Sequence, residues 1–265
     1  MDDIQQGQVT RSAADVYEEF FVPALFAPWS APVAEAAGIA PGQDVLDVAC
    51  GTGVLAREAA GRVRPGGTVT GLDRNDGMLA VARRKAPEID WHHGQAEHLP
   101  FEDGRFDAVV SQFGLMFFED RVQALAEMWR VLKPGGRVAV AVWDSLERTP
   151  GYAAMTALLH ELFGEQVAEA LRAPYCLGDP QAFAELAAQA GIPAQLITRH
   201  DVVRFPSIEA WVRTDVKGWT LADMIDDRQY QLLQQEAPKA LARFVQPDGT
   251  VLFDGPAHIL YATKA

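Results

Sequence analysis

Apolar positions in this chain follow two periods in turn, and the alternation predicts an order of elements. From Ser12 to Phe26, residues Ala13, Val16, Tyr17, Phe20, Phe21, Ala24 and Leu25 recur at three- and four-residue intervals, an amphipathic helix that Pro23 should kink or end. Pro28, Pro32 and Pro41-Gly42 break the following segment and leave room for a short helix over 32–37. Asp44 to Gly53 is an apolar run rich in β-branched residues that stops in two glycines, a buried strand feeding a tight turn, and Val54 to Ala60 has helical spacing. The alternation continues with a strand over 68–73, a helix from Gly77 to Lys85, and strands over 89–93 and 106–112. After an apolar loop over 113–118, a helix carries Val122, Leu125, Trp129 and Leu132 and stops at Lys133-Pro134-Gly135-Gly136, and 137–143 is a buried fifth strand. Such alternation of strand and helix predicts a parallel sheet covered on both faces.

Beyond Trp143 the pattern turns helical. One insertion runs from Tyr152 to Leu171, a helix from Gln181 to Ala190, a polar-rich strand from Gln195 to Phe205, and a second helical insertion from Ile208 to Val245. Leu252 to Lys264 reads as a final strand pair or one bent strand. The expected organisation is a single domain over 1–265: a helical cover (1–40), a ligand-binding half (43–147) and two lid insertions (150–178 and 207–247).

Composition narrows the partners. With 265 residues, 49% of them hydrophobic, the chain can bury one large core. A formal charge of −13 disfavours duplex nucleic acid and anionic membranes, which recruit clustered Lys and Arg, and leaves a neutral or cationic small molecule as the easier partner. The first residues, M-D-D-I-Q-Q-G-Q, lack the charge and apolar run of a signal peptide, and no apolar stretch approaches the roughly 18 residues of a membrane span. Cys50 and Cys176 form no metal-binding or disulfide framework, so a cytoplasmic location is the default expectation. His92, His93 and His98 lack an accompanying acid cluster and helical-face spacing, and no metal is expected.

The chemistry concentrates at Asp44 to Gly53. Glycines at a strand-to-helix turn let a ligand approach the backbone, and the helix behind them aims unpaired N–H groups at it. Gly51-Thr52-Gly53-Val54-Leu55-Ala56 fits the G-x-G-x-x-G/A dinucleotide fingerprint, and Asp73 lies near the ~20-residue spacing of a ribose-binding acid, so NAD is compatible with the pattern. Asp47 points elsewhere. A carboxylate four residues before Gly51 would face and repel a pyrophosphate, whereas S-adenosylmethionine presents an ammonium, a sulfonium and no phosphate.

The stretch V-L-D-V-A-C-G-T-G resembles the first motif of the class I S-adenosylmethionine-dependent methyltransferases, and later motifs follow in order over 43–143. The likeness is greatest to the small-molecule branch typified by ubiquinone and menaquinone C-methyltransferases. It implies a three-layer, Rossmann-like α/β fold: a mostly parallel seven-stranded sheet, an antiparallel C-terminal edge made by the last two strands as a hairpin, and a helical lid. It also implies S-adenosyl-L-methionine as cofactor and a small-molecule acceptor methylated on O, N or C. By the same resemblance, Asp47, Ala49, Gly51 and Gly53 face the cofactor from the first turn, and Asp73 and Arg74 lie at the ribose. Met78 lies against adenine. Gln95 and Ala96 stand where the family usually has G-D-A-E, with Gln95 replacing the aspartate and able to accept the adenine amino group through its carbonyl. Gln112 follows the fourth strand, and Tyr17 reaches over from the cover.

Phe21, Trp29, Phe113, Met116 and Trp143 are the expected walls of the acceptor pocket. S-Q-F-G after the fourth strand differs from the (D/N)-P-P-aromatic signature of nucleic-acid amino-methylating enzymes, and the acid that catechol-type, metal-dependent enzymes need there is missing. No residue is marked as a general base, since His160, His200 and His258 sit in unremarkable surroundings. Two other readings use the same glycine turn: an NAD(P)-dependent oxidoreductase, and a non-catalytic module that binds the cofactor.

Overall fold

In the computed structural model, residues 11–218 and 220–265 are described; the polar N-terminal octet discussed above lies outside them. The cover begins with α1 (Arg11–Val16), continues as a π-helical stretch (Tyr17–Phe26) and runs straight into α2 (Ala27–Ala36). The prolines therefore do not break it as the sequence reading expects. Pro23 removes a rung of an α-helical ladder, and the wider π winding, seen in the Ala27 N–H bonding to the Val22 carbonyl, carries the chain past it. Pro28 sits in the first turn of α2, where its missing N–H is not needed, and Pro32 costs one rung without ending the helix.

The core follows as β1 (Asp44–Val48), α3 (Val54–Arg62), β2 (Thr68–Asp73), α4 (Asp76–Lys85), β3 (Asp90–His93), β4 (Phe106–Gln112), α5 (Arg121–Arg130) and β5 (Leu132–Trp143). The later part comprises α6 (Pro150–Phe163), α7 (Glu165–Arg172), α8 (Pro180–Gln189), β6 (Gln195–Arg199), β7 (Val202–Phe205), α9 (Ile208–Lys217), α10 (Asp227–Ala240), β8 (Val251–Asp254) and β9 (Ala257–Thr263). Among the described residues, a seven-stranded sheet has the order β3-β2-β1-β4-β5-β9-β6. β1 to β5 pair in parallel, and β9 runs antiparallel to both β5 and β6. Val45, Leu46, Val48, Val109 and Val110 have no exposed surface, as expected of parallel strands covered on both faces. The strand order reverses between β1 and β4, and the crevice beyond their carboxyl ends is where ligands bind in such sheets.

The antiparallel edge is present as expected, formed by β9 and β6, but four expectations need correction. Residues 252–264 are not a strand pair within it: β9 inserts between β5 and β6, while β8 pairs with β7 in a separate ribbon. The stretch 195–205 is accordingly two strands in two sheets, parted at His200-Asp201. The first insertion is two helices, because Gly164 adopts φ 85° and ψ −179°, a conformation that costs glycine little and other residues much. β5 also starts earlier than predicted, its Pro-Gly segment held by Gly135 N–H to Lys264 O (2.8 Å) and Lys264 N–H to Gly136 O (2.9 Å).

Two further devices hold the later elements to the sheet. The Lys264 ammonium donates to the carbonyls of Trp129, Arg130 and Leu132, closing the C-terminal end of α5. His258 on β9 is a buried strut: its ring bonds the Thr198 hydroxyl (2.8 Å) and the Gly178 carbonyl (3.0 Å) and lies 3.4 Å from Asp144. Above the ribbon, Phe205, Trp211, Phe244, Phe253 and Tyr152 stack into an aromatic core that ties α6 and α9 together.

Candidate cofactor and acceptor site

The end of β1 is built to leave space. Ala49 takes φ 57°, Gly51 φ 55° and Gly53 φ 86°, three left-handed residues within five positions. At the end of β4, Phe113 is also left-handed (φ 56°), and Gly114 packs so closely that a Cβ on it would lie 2.6 Å from the Ala49 Cβ. Left-handed non-glycine residues cost about 1–2 kcal/mol each, and here both stand on the lining of one cavity.

That cavity, partly open to solvent, spans about 1020 Å³ at the β1/β4 crevice. Asp73, at the tip of β2, accepts the Gly51 N–H (2.8 Å) through one oxygen and the Asn75 N–H (2.8 Å) through the other. Asn75 in turn caps α4 by accepting the Met78 N–H (2.9 Å). The Asp73 carboxylate thus holds the glycine turn and keeps free lone pairs on the cavity side. Asp47 is different: it is 1% exposed, lines the cavity, and neither carboxylate oxygen has a hydrogen-bond partner. Burial pushes its pKa well above the usual carboxylate range; the Ala56 backbone N–H, near enough to favour the charged form, and Arg57 oppose the shift, while the charge of Asp73 adds to it. Burial raises Asp73 as well, against the pull of the Asn75 and Gly51 amides. The Tyr17 phenol is raised by burial and by the charges of Asp73, Glu18 and Asp47. Orphaned acids of this kind are arranged for a cation or a donor still to come.

The cover closes over this floor. Gln112 donates to the Phe26 carbonyl (2.9 Å), and Glu18 pairs with Arg57 on α3 and Lys85 on α4, both at 3.0 Å. Tyr17 stacks on Phe26 at 5.1 Å, above the cavity that both rings line.

Most of the expected ligand residues meet here. Tyr17, Asp47, Ala49, Gly51, Asp73, Arg74, Met78, Ala96 and Gln112 all line the cavity. Gly53 does not: a Cβ there would lie 2.4 Å from the Trp91 ring, so this glycine serves close packing of α3 against the sheet. Gln95 is exposed and outside the lining, where Ala96 and Glu97 stand instead. Phe113 lines this first cavity, whereas Phe21 and Trp143 line a second one of about 450 Å³. Trp29 and Met116 line neither; Trp29 is buried with its ring edge-on to Phe113 and Trp143, and the Met116 carbonyl accepts from Arg121.

Phe26, Asn75, Glu97, Phe117 and Phe118 also line the first cavity and were not singled out in the sequence. Nor were Tyr152, Tyr175 and Asp215 in the second. Asp215 had a readable signal, since it shares a helical face with Trp211, Val212 and Val216, an acid where the period calls for an apolar residue. Among the described residues, no group of three or more His, Cys, Asp or Glu is arranged to hold a metal, and no helix is long and apolar enough to cross a membrane.

Comparison with known proteins agrees with this geometry. Residues 46–140 match the family model for a methyltransferase domain. The demethylmenaquinone methyltransferase of Renibacterium salmoninarum is 48% identical over 113 residues, covering 43% of this chain and 46% of that protein. Its counterpart in Listeria welshimeri is 41% identical over 133 residues, 48% and 56% of the two chains. The chain thus spans about half the length of the curated relatives it matches. Among solved structures, phosphoethanolamine N-methyltransferase 2 of Haemonchus contortus, in complex with S-adenosyl-L-methionine, superposes with TM-score 0.61 at 21% identity, over 97% of this chain and 58% of that one. A SAM-dependent methyltransferase from Aquifex aeolicus gives 0.55 at 19% identity, over 72% and 93%. These structures share the Rossmann-like α/β fold of this chain.

Proposed function

We propose that this chain, whose residues 46–140 match the family model for a methyltransferase domain, transfers the methyl group of S-adenosyl-L-methionine to a small-molecule acceptor. The observation that carries the reading is Asp47: a fully buried carboxylate with both oxygens unpartnered, facing a cavity beside a glycine turn. An α-ammonium group satisfies that acid, and a pyrophosphate would be repelled by it. Asp73 offers its remaining lone pairs to two ribose hydroxyls, and Met78, Ala96 and the Phe117–Phe118 pair offer apolar surface to a flat base.

When bound, S-adenosylmethionine supplies an electrophilic methyl carbon. The chain's own contribution is placement. In-line displacement needs the acceptor atom about 3 to 3.5 Å from that carbon, and much of the acceleration comes from holding it there. Tyr17 and Phe26 close the cavity from above, Gln112 pins the cover through the Phe26 carbonyl, and Glu18 clamps it to α3 and α4, so that water is excluded while the methyl group is exposed. The relatives named as demethylmenaquinone methyltransferases act on a quinone, and a quinone-like acceptor is one member of the class proposed here.

The test is turnover. Purified protein is incubated with S-adenosylmethionine labelled in its methyl group and a small-metabolite extract. Label should appear in a small product, disappear when S-adenosylhomocysteine is added, and be lost in Asp47→Asn; absence of any small-molecule product with the cofactor bound would contradict the reading.

A further inference from the structure

The second cavity, about 450 Å³, lies between the π-helical stretch, β5 and the helices α6, α7 and α9. Its walls are Phe21, Leu25, Trp143, Leu171 and the rings of two tyrosines, and among the described residues no Lys, Arg or His lines it. One acidic group among them does. Asp215 is 2% exposed, accepts the Tyr152 hydroxyl at 3.1 Å through one oxygen, and makes no hydrogen bond of ordinary length through the other, although the Trp211 indole N–H, also without a partner, lies near enough to pull on its carboxyl. Tyr175 stands on the same wall, 6.0 Å from Tyr152 ring to ring.

This cavity is separated from the first by a thin aromatic partition. Phe26 lines both, and Phe113 of the first lies flat on Trp143 of the second, 3.8 Å between centroids and 5° between planes. Phe26 belongs to a π-helical stretch, a rare winding frequent at functional sites, so the partition rests on a backbone with an unusual hydrogen-bond pattern.

We propose that the second cavity holds the body of the methyl acceptor, a neutral, flat, largely apolar molecule whose hydroxyl group, remote from the reacting atom, hydrogen-bonds to the free oxygen of Asp215. The inference rests on the methyl-transfer reading above and adds the acceptor's chemistry to it. Apolar and aromatic walls select a ring system. An unpartnered buried carboxyl requires a hydrogen-bonding partner, and each buried polar group left unpaired when the wrong ligand enters costs binding. A neutral hydroxyl is favoured over a cation because burial pushes the Asp215 carboxyl up to about 8, against the pull of Tyr152 and Trp211, so that near pH 7 it is mostly protonated and offers its own O–H to the ligand oxygen. Asp215 is thus a specificity residue, with Tyr152 as the group that orients it.

Fluorescence titration of the full chain, saturated with S-adenosylhomocysteine, tests this with three probes: 2-naphthol, naphthalene and 2-naphthylmethylammonium. 2-Naphthol should bind at least tenfold more tightly than either of the others, and Asp215→Leu should lose that preference while keeping its S-adenosylhomocysteine affinity. Equal binding of naphthol and naphthalene, a preference for the ammonium probe, or an unchanged preference in Asp215→Leu would overturn the proposal. If Asp215→Leu does not fold, Leu171→Trp fills the same cavity and should abolish 2-naphthol binding. Retained binding there would equally overturn it. Loss of S-adenosylhomocysteine binding by the unaltered protein would instead strike the methyl-transfer reading, so the two failures are distinct.

Discussion

The Asp73 carboxylate accepts the Gly51 N–H at 2.8 Å, joining the tip of β2 to the glycine turn after β1. The bond ties together two residues that both line the first cavity, and the second oxygen orders the start of α4 through the Asn75 N–H. Asp73→Ala leaves both amides without an acceptor. It should cost roughly 1–3 kcal/mol of stability, read by denaturant unfolding, and weaken S-adenosylhomocysteine at least tenfold by calorimetry. Unchanged affinity would remove Asp73 from the ligand site.

Cofactor binding should release protons. In the empty protein both Asp47 and Asp73 have raised pKa values, chiefly from desolvation, so each favours its acid form as pH falls. Those shifts stabilise the empty protein at low pH, and the advantage is lost as pH rises from the ordinary carboxylate range through the raised values. A ligand ammonium favours the ionised form, so binding expels the proton, and affinity increases with pH by up to about one log unit per pH unit until the raised pKa is passed. Calorimetry at a series of pH values upward from the ordinary carboxylate range, each in two buffers of low and high ionisation heat, should reveal release; proton uptake, or no exchange at any pH, would contradict the assignment.

The two glycines of the turn should fail differently when replaced. Gly53→Ala meets the Trp91 ring at 2.4 Å and a φ of 86°, and should destabilise the fold by roughly 3 kcal/mol. At Gly51 a Cβ meets nothing within 4 Å in the empty chain, so Gly51→Ala should cost only about 1 kcal/mol for its φ of 55° yet weaken ligand binding sharply. Thermal unfolding and S-adenosylhomocysteine titration of the pair separate the two effects.

Glu18 clamps the cover to two helices at once through Arg57 and Lys85. Because Lys85 is half exposed, the static contribution is modest, of order 1 kcal/mol or less. The larger consequence of Glu18→Gln should be kinetic. Dissociation of S-adenosylhomocysteine, followed by stopped flow, should accelerate severalfold with little change in unfolding temperature; an unchanged rate would show that the clamp does not gate release.

The parallel half of the molecule was legible because its chemistry is local. A β-branched run ending in two glycines and a strand ending in Asp73 carry their meaning within a few residues, and nine of the eleven expected cofactor residues do line one cavity. Gly53 and Gln95 depart from that set because a motif does not say which of its positions faces the ligand and which faces Trp91 or solvent. The prolines of the cover misled, since π winding and first-turn placement let a helix absorb what propensity alone forbids. The later half was harder for a different reason. Whether Leu252 to Lys264 makes a hairpin or sends one strand to each of two sheets depends on long-range pairing with 195–205 and with β5, which spacing does not encode. Asp215 shows the remaining gap: its place on an apolar helical face was visible, but its meeting with Tyr152, 63 positions away, was not.

The central claim is that the glycine-turn cavity takes a ligand with a positive amino-acid tail and no phosphates. Calorimetric titration of the protein with S-adenosylhomocysteine and, separately, with NADH tests it most directly. Micromolar binding of S-adenosylhomocysteine with no measurable heat from NADH is the expected result, and binding of NADH alone would contradict the account.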